Sequence, residues 1–158
     1  MSKLVRESSA IFSPCKKYRF VLCRVWDTSK PYVMFIGLNP SKANSIDDDP
    51  TIKRVKAMAE YWGYGGIYML NCFPYISTDP DELSSCDLIE QNDSWLNSTR
   101  YKCKDVVFAW GSFDIVKEKA RDTALKNMFP DAMALIINKD GSPRHPLYVP
   151  VKTPWIKY

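Results

Sequence analysis

Two carboxamides, one histidine and a run of three carboxylates stand where short polar motifs interrupt strongly apolar stretches. Asn39 lies in Gly37-Leu38-Asn39-Pro40-Ser41, where glycine permits an unusual turn and proline stiffens the exit. An amide both donates and accepts, so Asn39 can position a water or a substrate group without being a strong base; the competing reading is a side chain that ties its own turn together. Asn71 is followed by Cys72, Phe73 and, two residues on, Tyr75. A carboxamide can pair with adjacent donor and acceptor positions on a base edge while an aromatic ring stacks on its face. Phe73 and Tyr75 are the candidate rings, against the alternative that both belong to the core. His145, the chain's single histidine, sits between Arg144 and Pro146, and imidazole suits donation to a developing anion near neutral pH.

The run Asp47-Asp48-Asp49 has two readings. Asp49 can cap a helix and compensate its dipole, or Asp48 and Asp49 can meet a sugar hydroxyl or a divalent cation such as Mg2+; no other cofactor is expected. The hydroxyls of Ser41 and Ser112, with Arg144, are candidates for phosphate or sugar contacts. Asn92-Asp93 faces either the same cleft or water. The five cysteines form no Cys-x-x-Cys pair and no signal peptide opens the chain, so a reducing cytoplasm is expected, without a disulfide framework or zinc site.

These residues need elements to hold them. Residues 32–38, 67–70, 106–110 and 132–137 are nearly continuous apolar runs, the pattern of strands buried on both faces of a parallel sheet. Residues 17–26 place Tyr18, Phe20, Leu22 and Trp26 on one side at period two, with Val21, Cys23 and Val25 opposite, as in an N-terminal edge strand or hairpin. Asp49-Pro50 starts a helix with Ile52, Val55, Met58, Ala59 and Trp62 on one face before Gly63 stops it. A second helix is expected over residues 87–101, and a third after Ser112 along Ile115, Val116, Ala120, Ala124 and Leu125. The alternation predicts an α/β fold: a three-layer α/β/α sandwich around a central, mostly parallel four-stranded sheet, as one domain over residues 1–158 with a polar segment at 1–16 and its core at 32–150. Ligands of such sheets bind outside the carboxyl ends of the strands, where Asn39, Asn71, Ser112 and His145 all fall.

A composition of 46% apolar and 25% charged residues over 158 positions excludes a disordered or fibrous chain. No apolar run approaches the roughly 18 residues of a membrane span, so no membrane partner is expected. The net charge of +4 is compatible with a polyanion but too mild to name one.

Taken together, the strand-end motifs resemble the uracil-DNA glycosylase superfamily. Gly37-Leu38-Asn39-Pro40 is similar to the asparagine-bearing water-positioning motif of its mismatch-specific branch, Met69-Leu70-Asn71 resembles its base-reading motif, Trp110-Gly111-Ser112 resembles the end of a third strand, and His145-Pro146-Leu147 resembles its closing loop. The resemblance implies that Asn39 orients the attacking water, Asn71 reads an extruded base, His145 stabilises the departing base anion, and Phe73 or Tyr75 stacks. The chain departs from the superfamily at Ser41, where a tyrosine excludes thymine, and in the Arg144–Tyr148 segment, which replaces a serine-proline insertion loop; no cysteine quartet suggests an iron–sulfur cluster. The sequence more closely resembles an uncharacterised bacterial and phage family of unknown function, through Gly37-Leu-Asn-Pro-Ser41, Asp48-Asp-Pro-Thr-Ile52, Trp62-Gly-Tyr-Gly-Gly66 and Pro143-Arg-His-Pro-Leu-Tyr148. The expected function is excision of a modified or mismatched base from DNA, or less directly action on a free nucleotide. The alternative is a non-catalytic module that keeps the cleft to bind nucleotide, DNA or protein.

Overall fold

Along residues 32–37, Val33 and Phe35 pack into one apolar cluster while Met34 and Ile36 pack into another. All four are fully buried, so this strand needs helices on both of its faces. The computed structural model describes residues 7–158 and supplies them. One seven-stranded sheet runs in the order β1-β2-β4-β3-β5-β6-β7, built from β1 (Glu7–Phe12), β2 (Arg19–Val25), β3 (Tyr32–Gly37), β4 (Gly66–Asn71), β5 (Asp105–Phe108), β6 (Met133–Ala134) and β7 (Ile156–Lys157). Strand β3 pairs in parallel with β4 and β5, and β5 with β6. Strands β1, β2 and β7 add antiparallel ladders at the two sides.

The sheet is therefore larger than expected and mixed in direction. Of the two expectations for residues 17–26, the hairpin holds and the edge does not: β2 pairs antiparallel with β1, lies between β1 and β4 and is buried throughout. Its faces also differ from strict alternation. Phe20 and Val21 both join the cluster containing Cys23 and Val25, whereas Leu22 and Trp26 join the other. The β1–β2 ladder shifts register at this point, pairing Ile11 with Val21 and Phe12 with Arg19. A slip of one residue moves side chains to the opposite face, and here it puts Arg19 on the side away from Val21 and Cys23, against Ala43. Part of the supposed polar N-terminal segment is strand β1; residues 1–6 of that segment lie outside the described residues.

Helix α1 (Pro50–Tyr61) begins as expected, with Asp49 accepting from the Ile52 N–H at 2.9 Å. It buries Ile52, Val55, Met58 and Ala59; Trp62, 40% exposed, is not part of that stripe. Helices α2 (Ile89–Arg100), α3 (Asp114–Glu118) and α4 (Arg121–Met128) pack Leu96, Val116 and Leu125 into the opposite cluster. The expected third helix is thus two helices, because Ala120 between them takes a left-handed conformation with φ 54°. A short 3-10 turn at Pro80–Ser85 buries Leu83. Of residues 132–137, only Met133 and Ala134 join the ladder. The connection from β3 to β4 carries α1 on one face, whereas the connections from β4 to β5 and from β5 to β6 carry their helices on the other. Chain reversal of this kind opens a crevice at the carboxyl ends of the parallel strands.

Candidate functional site

A cleft of about 300 Å³ occupies that crevice. Arg19, Gly37, Asn39, Ser41, Asp49, Thr51, Asn71, Phe113 and His145 are among the residues that line it. Asn39, Asn71 and His145, which follow three different strands, therefore meet at one end of the sheet. A second hollow of about 460 Å³ shares Thr51, Phe113 and His145 and continues past Ser112, Arg144, Leu147 and Tyr148.

Asn71 ends β4 with its side chain over Gly37. A methyl group at residue 37 would stand 2.8 Å from Asn71 Oδ1 and 2.8 Å from Met69 Cε, so the missing side chain of glycine makes the space for this amide. Asn71 is 2% exposed, and its Nδ2 is buried without a hydrogen-bond partner. An unpaired buried donor costs about 1–3 kcal/mol, which an acceptor on a ligand would recover. Its main chain is fixed from behind. Asn92 Nδ2 donates to the Asn71 carbonyl at 2.8 Å, and Arg121 Nε donates to the Cys72 carbonyl at 3.0 Å. Asp93 holds the Arg121 guanidinium through bonds of 2.6 and 3.2 Å. Asn92, fully buried, thus acts directly on the backbone of the strand end, and Asp93, half-buried, acts on it through Arg121; neither lines the cleft.

Asn39 leaves β3 one turn later and bridges loops. Its Nδ2 donates to the carbonyls of Pro40, Tyr75 and Ser77 at 3.2, 3.0 and 2.9 Å, which fixes the amide and leaves Oδ1 without a hydrogen bond among the described residues. His145 follows the bridge between Ile137 and Pro143, and its Nδ1 accepts from the Leu147 N–H at 3.2 Å. Burial lowers its pKa below the ordinary value of 6.5, with Asp49 opposing the shift. Neutral His145 with Nδ1 accepting carries its proton on Nε2, a donor. Gly111, at φ +81°, lets the chain turn here; a Cβ would crowd Phe113 at 3.2 Å and His145 Cβ at 3.4 Å.

The acidic run divides into three structural duties. Asp47 accepts from Asn44 Nδ2, Asp48 pairs with both Arg24 and Lys56 at 2.9 Å, and Asp49 caps α1. Only Asp49 also lines the cleft, and the described residues bring no three His, Cys, Asp or Glu side chains together as a metal site. Phe73, 1% exposed, belongs to the core and offers the cleft no face. Tyr75 packs edge-on against Tyr18 at 5.5 Å in a separate hollow. The aromatic ring at the cleft is instead Phe113, 39% exposed. Ser41 lines the cleft, whereas Ser112 and Arg144 line the adjoining hollow, bonded to Asp140 and Asn138 respectively.

Arg19 is the largest addition to the expected set. The residue is 3% exposed, Nη1 donates to the Ala43 carbonyl at 2.9 Å, and Nε has no partner. Burial lowers its pKa to about 10, against the field of Asp49, so it stays charged at neutral pH. A charged residue heading a strand that is apolar from Phe20 to Cys23 was the available signal; the register slip that aims it is not visible in residue types.

A family model described as "Protein of unknown function (DUF1643)" matches residues 19–147. The chain belongs to that family. The match begins at Arg19 and ends at Leu147, so in this DUF1643 member it spans every cleft residue named above. No curated protein and no solved structure matches the chain.

Proposed function

We propose that this DUF1643 protein recognises a nucleobase in the strand-end cleft and hydrolyses its N-glycosidic bond, acting on a modified or mismatched base in DNA. The observation that carries the proposal is the Asn71 amide, held over Gly37 and fixed through its carbonyl, with a buried donor that no protein group uses. A base edge supplies the acceptor, and Phe113 supplies a ring face in place of Phe73 or Tyr75. Asn39 Oδ1 orients a water towards the sugar C1′. The water oxygen forms the new bond to C1′ as the C1′–N bond breaks; the departing base keeps the bonding pair, and the proton the water loses passes to solvent, from which the released base anion is reprotonated. His145 Nε2–H donates to that developing anion, the kind of preorganised contact whose removal costs about 10²–10³ in rate. Such a site works without a strong base, because the oxocarbenium-like sugar needs only a positioned water.

The parallel strands β4, β3, β5 and β6, with the resembled motifs after them, support a core like that of the uracil-DNA glycosylases. The described residues contain no helix long and apolar enough to cross a membrane, and the five cysteines are free thiols, in keeping with a cytoplasmic setting. A second reading, a module that binds a base or nucleotide without cleaving it, is favoured by one observation: Asn39 Nδ2 is spent on three loop carbonyls, as in a staple. Incubation with duplexes and single strands carrying uracil, mispaired thymine or modified pyrimidines separates the two. Abasic sites support the enzyme; saturable binding without base release supports the module.

A further inference from the structure

Three arginines are buried among the described residues: Arg19, Arg24 and Arg121. Two of them are neutralised at contact distance. Arg24 pairs with Asp48 at 2.9 Å and donates to the Cys23 and Asn44 carbonyls. Arg121 pairs with Asp93 at 2.6 Å and donates to the Cys72 carbonyl. Arg19 alone has no carboxylate within 4.0 Å, and it alone of the three lines the cleft. The protein gives it a single hydrogen bond, to Ala43, and leaves Nε buried and unpartnered.

A guanidinium taken out of water without a counter-charge is costly, and a neutral carbonyl replaces only its lost hydrogen bonds. An oxyanion replaces both the bonds and the charge, with a geometry that suits the planar fork. The first turn of α1 lines the same cleft at Thr51 and Ile52, and the positive end of that helix dipole also favours an anion. Asp49 is the carboxylate at the cleft; its field reaches Arg19, but it makes no ion pair with it within 4.0 Å, and its Oδ1 is engaged by the Ile52 N–H.

We propose that Arg19 is an oxyanion subsite and that the ligand of this cleft carries a phosphate, so that nucleotides and phosphodiesters are bound in preference to free nucleosides. The oxyanion assignment stands on Arg19 itself; the choice of a nucleotide rests on the function proposed above. Binding is read without base release, so failure of the glycosidase chemistry leaves this inference intact, and its own failure leaves that chemistry open.

The test uses the wild-type protein first. Inorganic phosphate, sodium acetate and sodium chloride are titrated at constant ionic strength while the arginine Nε–H resonances are followed by NMR, with Arg19 assigned by the signal missing in Arg19→Lys. Phosphate is expected to shift the Arg19 resonance saturably, acetate to shift the same resonance more weakly because it carries a single charge, and chloride, which lacks the oxygens that match the fork, to leave it in place. Deoxyuridine monophosphate is then expected to bind at least about tenfold more tightly than deoxyuridine, a preference that falls to within about twofold in Arg19→Gln. Absence of a saturable phosphate shift overturns the proposal, as does equal binding of nucleoside and nucleotide or a preference that survives in Arg19→Gln. The wild-type comparison decides the matter if the variants do not fold.

Discussion

Gly37→Ala places a methyl group where the cleft keeps the Asn71 amide. Its Cβ would stand 2.8 Å from Asn71 Oδ1 and 2.8 Å from Met69 Cε, where ordinary contact starts at 3.4 Å, so each neighbour must yield 3.4 − 2.8, about 0.6 Å. Both atoms are side-chain ends, whereas the β3 backbone is held by β4 and β5 on its two sides; the side chains therefore move and the strand does not. Overpacking costs about 1–3 kcal/mol in general, and with two yielding neighbours the lower part of that range applies. At about 2–4 °C per kcal/mol for a domain of this size, melting should fall by about 3–5 °C. Function should suffer more, because misplacing a recognition group by under 1 Å can cost up to about 10²-fold. Thermal unfolding, nucleotide affinity and single-turnover base release are to be measured on Gly37→Ala, Asn71→Ala and the double variant. With Asn71 already truncated, one of the two clashes is gone, so the stability cost at residue 37 should shrink by about half and no further function should be lost. Strict additivity, or a Gly37→Ala protein with wild-type affinity and rate, would refute the placement of the amide.

His145→Ala should lower base release by about 10²–10³ with little change in melting, since Pro143 and Pro146 flank the turn; a destabilised variant with normal activity per folded molecule would remove His145 from the reaction. Burial depresses the pKa of His145, so its contribution to stability is full above about 6.5 and is lost as pH falls through the lower folded value, with activity following the neutral form; a rate that rises on acidification across that window would contradict this. Asp48 is opposed by burial but held below its ordinary 3.8 by hydrogen bonds from Lys56 and Arg24, so its stabilisation is present above about 3.8 and lost below the depressed value. Asp48→Asn leaves the buried Arg24 short of a counter-charge and should cost about 3–5 kcal/mol, while EDTA should leave the wild-type melting temperature unchanged, as checked by calorimetry. Arg121→Met frees the Cys72 carbonyl and strands Asp93, and it should weaken nucleotide affinity by displacing Asn71 even though residue 121 does not line the cleft; unchanged affinity would show that the strand end needs no such anchor.

Strands β3, β4 and β5 were legible because burial on both faces forces uninterrupted apolar runs, and α1 because Asp49-Pro50 is both a cap and a start. The convergence of Asn39, Asn71 and His145 followed from strand order, since each residue comes after a parallel strand. The edge strands were hidden for the opposite reason. In β1 the run Glu7-Ser-Ser-Ala-Ile-Phe12 is largely exposed or half-buried, and β7 is two exposed residues, so neither carries a core pattern. The break at Ala120 depends on a left-handed residue that is usually glycine, and nothing in its neighbours announces it. Which of Phe73 and Phe113 meets the cleft was decided by packing: the segment after β4 stays alongside β3 through the Phe73 N–H to the Leu38 carbonyl, carrying Phe73 into the core, while Phe113 follows the turn at Gly111. Arg19 was missed because its direction depends on the register shift between β1 and β2.

The most direct test of the proposal that this cleft reads a base is a crystal structure of His145→Ala with an oligonucleotide bearing uracil or a mispaired thymine. The base should lie in the cleft lined by Arg19, Asn71 and Phe113, with a base acceptor at about 2.9 Å from Asn71 Nδ2 and the Phe113 ring against its face. A base seated elsewhere on the protein, or one in the cleft whose edge leaves Asn71 unpaired, would contradict it.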